Sequence, residues 1–163
     1  MALTVEDGTG VAGAESYISV AAASTYLADR GYEAWGDTSD PSRERALRLA
    51  TDYMAQAYRG RWRGQRVASD QPLDWPRRQI VADGYYVEPN SIPQDIQRAC
   101  ALLALRSLDG DLTPDLARKT LRESVGSIEV EYDGDERTNP YRAVERLLSP
   151  YLMGLPNQVA LVR

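Results

Sequence analysis

The chain has 163 residues, 43% apolar and 26% charged, with a net charge of -5; this suffices for one domain with its own core and excludes wholesale disorder. It has no histidine and one cysteine, Cys100, which removes His-dependent triads, imidazole acid–base chemistry, His-bearing zinc sites and any intrachain disulfide. No apolar run approaches the ~20 residues of a membrane helix, and residues 1–7 lack the basic end and apolar stretch of a signal peptide, so cytoplasmic synthesis without membrane contact is expected.

Residues 1–13 are rich in Gly, Thr, Ala and acid, and Gly8, Gly10 and Gly13 give no helical period. They predict an arm or an irregular entry, with Ser16, Tyr17 and Ile18 briefly extended. Ser19 is placed to cap a first helix bearing Val20, Ala23, Tyr26 and Leu27 on one side, which Gly31 ends. Asp40-Pro41 signals a second start, the Asp carboxylate accepting free amide protons. From there Leu47, Ala50, Met54, Ala57 and Tyr58 recur at helical steps, with Glu44 and Arg48 ordered for a surface ion pair.

Gly60 and Gly64 break that rhythm, and Pro72 and Pro76 keep the next stretch irregular. Asp83-Gly84 between two strand-like runs predicts a tight hairpin over residues 80–87. Pro93 opens a third helix, running to about Leu108, whose middle around Cys100 is apolar nearly all round and therefore buried, with Cys100 packed as a small apolar side chain. Alternation over residues 127–132 predicts a strand with Ile128, Val130 and Tyr132 on one face and acid on the other. Asn139-Pro140 opens a short fourth helix carrying Tyr141, Val144, Leu147 and Leu148, which Pro150 ends. The fold class is mainly α: a small bundle of about four helices, a short β-hairpin, an additional strand, and extended terminal arms. The expected organisation is an arm over 1–18, a helical domain over 19–149 and a docking tail over 150–163.

Six arginines and two tryptophans lie between Tyr58 and Arg78 of an otherwise acidic chain. Arginine beside aromatic rings suits single-stranded nucleic acid, because bases stack on rings while guanidinium groups hold phosphates; Arg61, Trp62, Arg63, Trp75, Arg77 and Arg78 are the candidates. The same residue types sit at the energetic centres of protein interfaces. A third reading is structural, with Trp62 and Trp75 covering helix ends while arginines shield them and pair with acids such as Asp70 and Asp74. Glu129, Glu131 and Asp133 form an opposed acidic patch that suits pairing between copies of the chain. Leu155, Val159, Leu161 and Val162 make an apolar tail that folds back, frays or docks on a partner.

No pair of carboxylates has a defensible catalytic arrangement, so no enzyme activity, cofactor or metal is expected. Asp133-Gly134-Asp135 lacks the remaining spacing of a calcium loop. Residues 8–13 carry three glycines but no preceding strand and no Lys-Ser/Thr pair, so they do not form a nucleotide-phosphate turn.

Glu6-Asp7-Gly8-Thr9-Gly10, residues 14–20, residues 26–31 with Trp35, residues 46–53, residues 58–64, Leu73-Asp74-Trp75-Pro76-Arg77, Ile92-Pro93, residues 99–105 and residues 125–132 together resemble a family of small tailed-phage proteins of the head and neck. Two labels attach to that family: head-to-tail connector (adaptor), and DnaT-like single-stranded DNA-binding protein. The connector resemblance implies a structural virion protein of the neck, a ring, typically of twelve copies, that binds the portal protein and a tail or neck completion protein. DNA would pass through its lumen without specific binding. It implies a subunit interface in which Arg59, Arg61, Trp62, Arg63 and Arg66 meet Glu129, Glu131 and Asp133 of a neighbour, and a portal-docking tail of Leu155, Val159, Leu161 and Val162. The separated basic and acidic patches and the mildly acidic total charge favour the connector, since a basic lumen wall would hold phosphates. Single-stranded DNA binding is the alternative.

Overall fold

The computed structural model describes residues 2–113, 122–125, 128–131 and 141–154, the two middle segments as backbone. Its helices are α1 (Val20–Ala28), a single turn α2 (Glu33–Gly36), α3 (Asp40–Tyr58), α4 (Gln94–Ser107) and α5 (Arg142–Leu148). Three two-stranded antiparallel ladders pair β1 (Gln65–Arg66) with β2 (Arg77–Arg78), β3 (Ile80–Ala82) with β4 (Tyr85–Val87), and β5 (Arg122–Val125) with β6 (Ile128–Glu131). The fold is mainly α, built on α3 packed against α4, with α1 and α5 also seated on α4.

The amphipathic pattern explains that packing. Helix α3 buries Ala46, Leu47, Ala50, Thr51, Tyr53, Met54 and Tyr58, and α4 buries Ile96, Ala99, Cys100, Ala101, Leu103, Ala104 and Leu105. Small side chains on α4 let the two helices approach closely, and Cys100 fills the seam beside Thr51 Oγ1 at 3.5 Å. Burial pushes the Cys100 thiol up from its ordinary value, so it packs there as a neutral group.

Ser19 caps α1 as its spacing predicts, its hydroxyl accepting from Ala22 N at 3.1 Å. Helix α3 starts differently from expectation: Ser39 is the N-cap, and the Asp40 carboxylate accepts from the Arg43 guanidinium at 2.9 Å. That guanidinium also donates to Trp35 O and Gly36 O, fixing α2, an element the sequence pattern did not reveal. Trp35 is buried and donates through Nε1 to Ser24 Oγ at 2.9 Å, so α2 is a lid over the end of α1.

Residues 2–18 form an irregular entry that packs on the body. Tyr17 and Ile18 are buried, and a parallel bridge joins Val5 to Ser16. The buried Glu6 carboxylate accepts from Gly8 N, Gly10 N and Val11 N at 2.9, 2.8 and 2.9 Å. The backbone amides that a glycine-rich turn would offer a phosphate are therefore occupied by the chain's own anion. Gly8 has φ +105°, and a Cβ there would lie 2.2 Å from Asn90 O, so only glycine fits.

The β3–β4 hairpin has the expected turn, with Asp83 at φ 50° and Gly84 at φ 85°, and pairs Ile80 with Val87, Val81 with Tyr86, and Ala82 with Tyr85. Strand β6 has a partner, β5, that the alternation of residues 127–132 did not announce. Tyr132, Asp133, Asn139-Pro140, Leu155, Val159, Leu161 and Val162 lie outside the described residues, and of Glu129 and Glu131 the structure describes the backbone of β6.

Candidate functional site

The arginine and tryptophan segment leaves α3 through a 3-10 turn (Arg59–Arg61), extends as β1 and returns as β2. Gly64 makes this path possible: its φ is +64°, and a Cβ would sit 2.3 Å from Arg78 O and 2.7 Å from Ile80 Cγ1. Both tryptophans turn inward, Trp62 at 2% and Trp75 at 0% exposure. They continue a file of aromatic rings: Tyr58–Trp62 at 5.8 Å, Trp62–Trp75 at 5.9 Å edge-on and Trp75–Tyr151 at 5.7 Å edge-on. Edge-to-face contacts at these separations are favourable, so the rings act as packing that joins α3 to the end of α5.

Each arginine of the predicted interface has a partner in its own chain. Arg59 Nε donates to Asp74 Oδ1 at 3.0 Å, and Arg61 to Glu145 Oε1 at 2.7 Å. Arg63 Nε donates to Leu152 O at 3.0 Å, and Arg66 to Gln71 O and Ser69 O, both at 3.0 Å. Arg77 is buried and spends its guanidinium on three carbonyls, Arg63 O, Asp74 O and Gly64 O, at 2.8, 3.1 and 2.8 Å. Desolvation pulls the Arg77 pKa down, yet these bonds hold a planar fork in a site no lysine would satisfy. The pairing with Asp74 that the sequence suggested is present; a pairing with Asp70 is not among the salt bridges of the described residues.

Backbone bonds show what this scaffold holds. Arg63 N donates to Tyr151 O at 2.9 Å, Met153 N donates to Arg61 O at 2.7 Å, and Trp62 bridges Leu152. A second 3-10 turn (Ser149–Tyr151), begun by Leu148 and carrying Pro150, is thereby fastened onto the basic segment. Tyr151 donates from its hydroxyl to Asp95 Oδ2 at 3.3 Å, and burial with the nearby Asp95 charge pushes its pKa up to about 12. Four buried polar atoms of this cluster, Arg61 Nε, Trp62 Nε1, Asp74 Oδ2 and Trp75 Nε1, have no hydrogen-bond partner among the described residues.

Of the nucleic-acid candidates, Trp62, Trp75 and Arg77 are therefore interior, and buried rings present no face to a base. Arg61 is half-buried, and Arg63 and Arg78 are exposed. The exposed aromatic rings lie elsewhere, on the β3–β4 hairpin. Tyr85 is 79% and Tyr86 59% exposed, with Val81 at 52%. Register places Val81 and Tyr86 as a cross-strand pair on the outer face, while Ile80 and Ala82 point into the core. Arg78 precedes this hairpin by two residues and donates weakly to Gln65 Oε1 at 3.4 Å, leaving most of its donors free for solvent or ligand. The alternation of residues 80–87, read for facing as well as for strand content, would have marked Val81 and Tyr86 as outward.

A cleft of about 330 Å³ opens beside the second 3-10 turn, lined by Arg61, Arg142, Glu145, Arg146, Ser149, Leu152, Met153 and Gly154. Strand β3 packs against the same turn, so hairpin and cleft flank one short piece of chain. No group of His, Cys, Asp and Glu among the described residues could hold a metal ion.

The family model described as "Putative DnaT-like ssDNA binding protein" matches residues 1–163. No curated protein and no solved structure gives a match.

Proposed function

This chain belongs to the DnaT-like single-stranded DNA-binding family over its whole length, and from that premise we propose that it binds single-stranded DNA through the exposed rings of the β3–β4 hairpin. The observation that carries the reading is two exposed rings, Tyr86 on the outer face across from Val81 and Tyr85 at the turn end across from Ala82, on a hairpin that Ile80 and Ala82 anchor in the core. A rigid ring needs no ordering to receive a base, and stacking is tolerant of sequence. Arg78 supplies a nearby positive charge, while Asp83 at the turn and Glu88 beyond β4 oppose it. Binding is therefore led by stacking, with a shallow salt dependence.

Fluorescence anisotropy with a labelled oligothymidylate at low salt tests this. Replacing Tyr85 and Tyr86 together by Ala should weaken binding by about 1–3 kcal/mol per stacked base while leaving thermal stability unchanged, because both rings are exposed. An intact protein with no measurable oligonucleotide affinity at low salt ends the reading.

A second reading, the neck connector ring with portal and tail proteins as partners, is favoured by a different observation. The basic segment clamps Tyr151, Leu152 and Met153 onto the body, and the apolar residues 155–163 follow directly from that anchor. A fixed base for a terminal peptide suits docking on a partner, and a net charge of -5 suits a lumen past which DNA slides. Electron microscopy of virus particles purified from cells that make the protein decides it: a ring of this chain beneath the portal supports the connector, and absence from the particles removes it.

A further inference from the structure

We propose that the cleft between α5 and the 3-10 turn of residues 149–151 is a phosphate-binding site. Among the described residues its lining includes three arginines, Arg61, Arg142 and Arg146, against one carboxylate residue, Glu145. Glu145 is already neutralised by Arg61 at 2.7 Å, so the surplus charge belongs to Arg142 and Arg146. Neither of these two forms a side-chain hydrogen bond or ion pair among the described residues. They stand four residues apart on α5, hence on one face, where like charges repel each other. An anion between them removes that repulsion, and two planar forks match phosphate oxygens in a way that ammonium groups do not.

The remaining polar group of the wall narrows the ligand further. Ser149 donates its hydroxyl proton to Arg146 O at 2.8 Å, so it adds a lone pair but no donor. Guanidinium groups alone then do the recognising, which selects for negative charge rather than for a base or sugar hydroxyl. Leu152 and Met153 give an apolar floor that excludes some water from the ion contacts. The volume of about 330 Å³ admits a phosphate with part of its ester, and the cleft is open, so a strand can enter and leave. The shared chemistry is a phosphate group, either in a DNA backbone or in a free phosphate compound. The DNA assignment rests on the single-strand reading, the hairpin that carries Tyr85 and Tyr86 being packed through β3 against the same turn.

The double substitution Arg142→Ala/Arg146→Ala tests the site on the full chain. Both residues are exposed, so unchanged circular dichroism and melting temperature are expected. Oligothymidylate binding should weaken by about tenfold, and the slope of log K against log salt should fall by about 1. Titration of the wild type with inorganic pyrophosphate, followed by NMR, should move signals from Arg61, Ser149 and Met153, and should not do so in the variant. If the oligonucleotide binds the folded variant with wild-type affinity and slope, the cleft is overturned and the single-strand reading stands. If pyrophosphate binds in the cleft while the wild type ignores oligonucleotides, the single-strand reading fails and the site is one for free phosphate compounds. If neither probe perturbs the cleft, the site is overturned outright.

Discussion

Removing the Trp62 side chain separates packing from recognition. Trp62 is 2% exposed, lies 5.8 Å from the Tyr58 ring and 5.9 Å from the Trp75 ring, and bridges Leu152. Truncating a fully enclosed tryptophan to Ala costs about 3–5 kcal/mol, in which the two ring contacts are already included. For a domain of this size each kcal/mol lowers the melting temperature by roughly 2–4 °C, so Trp62→Ala should lose roughly 6–20 °C. The milder Trp62→Phe keeps a ring and gives up an Nε1 that has no partner among the described residues, so it should cost about 1–2 kcal/mol. Urea denaturation measures both losses, and anisotropy on the folded Phe variants of Trp62 and Trp75 measures recognition. Oligonucleotide affinity should stay within about twofold of wild type. All three tryptophans are buried, at 1%, 2% and 0% exposure, so intrinsic fluorescence should be blue-shifted and barely quenched by DNA. Strong quenching, together with a tenfold affinity loss in a fully stable Trp62→Phe or Trp75→Phe protein, would refute the assignment of these rings to the interior.

Gly64→Ala places a Cβ 2.3 Å from Arg78 O at a φ of +64°; a destabilisation on the order of 3 kcal/mol is expected by chemical denaturation, with Gly60→Ala, where nothing lies within 4 Å, as the tolerated control. The Arg48 guanidinium and Thr4 N, which both bond it, hold the Glu15 carboxyl below its ordinary pKa. A lowered folded pKa gives stability that is present above the unfolded value of about 4.3 and lost as pH falls through the folded one, so Glu15→Gln should flatten part of the acid-side loss. Burial raises the pKa of Tyr17, Tyr53 and Tyr151. A raised folded pKa gives stability that is complete below the unfolded value of about 10 and lost as pH climbs above it. Tyrosinate absorbance should therefore rise for the exposed rings first and for these three only with unfolding.

Local chemistry was legible where one residue settles it. Ser19, Pro41, Pro93 and the Asp83-Gly84 pair each set a boundary through backbone geometry, and the apolar residues around Cys100 could satisfy themselves only as a buried helix. The short ladder β1–β2 and the turn α2 were not legible, because neither is held by its own pattern. Arg77 satisfies carbonyls of residues 63 and 64 from fourteen and thirteen positions away, and Arg43 does the same for Trp35 and Gly36. Composition could not tell a guanidinium aimed at a ligand from one spent on the backbone. Six arginines in 21 residues suggest a binding face, and the fold turns most of them into struts. Arg142 and Arg146, which have no such duty, are spaced ordinarily for a surface helix and drew no notice.

That contrast bears on how an acidic chain meets a polyanion. A charge contributes to binding only if its donors are not already committed and its desolvation is not already complete. By this measure Arg77, with three carbonyl partners, is neutral to DNA, and Arg61 is half-committed through Glu145. Arg78, Arg142 and Arg146 keep their capacity, Arg78 two residues before the β3–β4 hairpin and Arg142 and Arg146 at the cleft. Glu145→Gln then has a definite sign: it releases Arg61 and removes the one carboxylate that lines the cleft among the described residues, so phosphate affinity should rise even as the clamp on residues 151–153 loosens. Stronger pyrophosphate binding with a lower melting temperature is the expected pair of results. A variant in which affinity and stability fall together would mean that Glu145 positions the cleft rather than opposing its ligand.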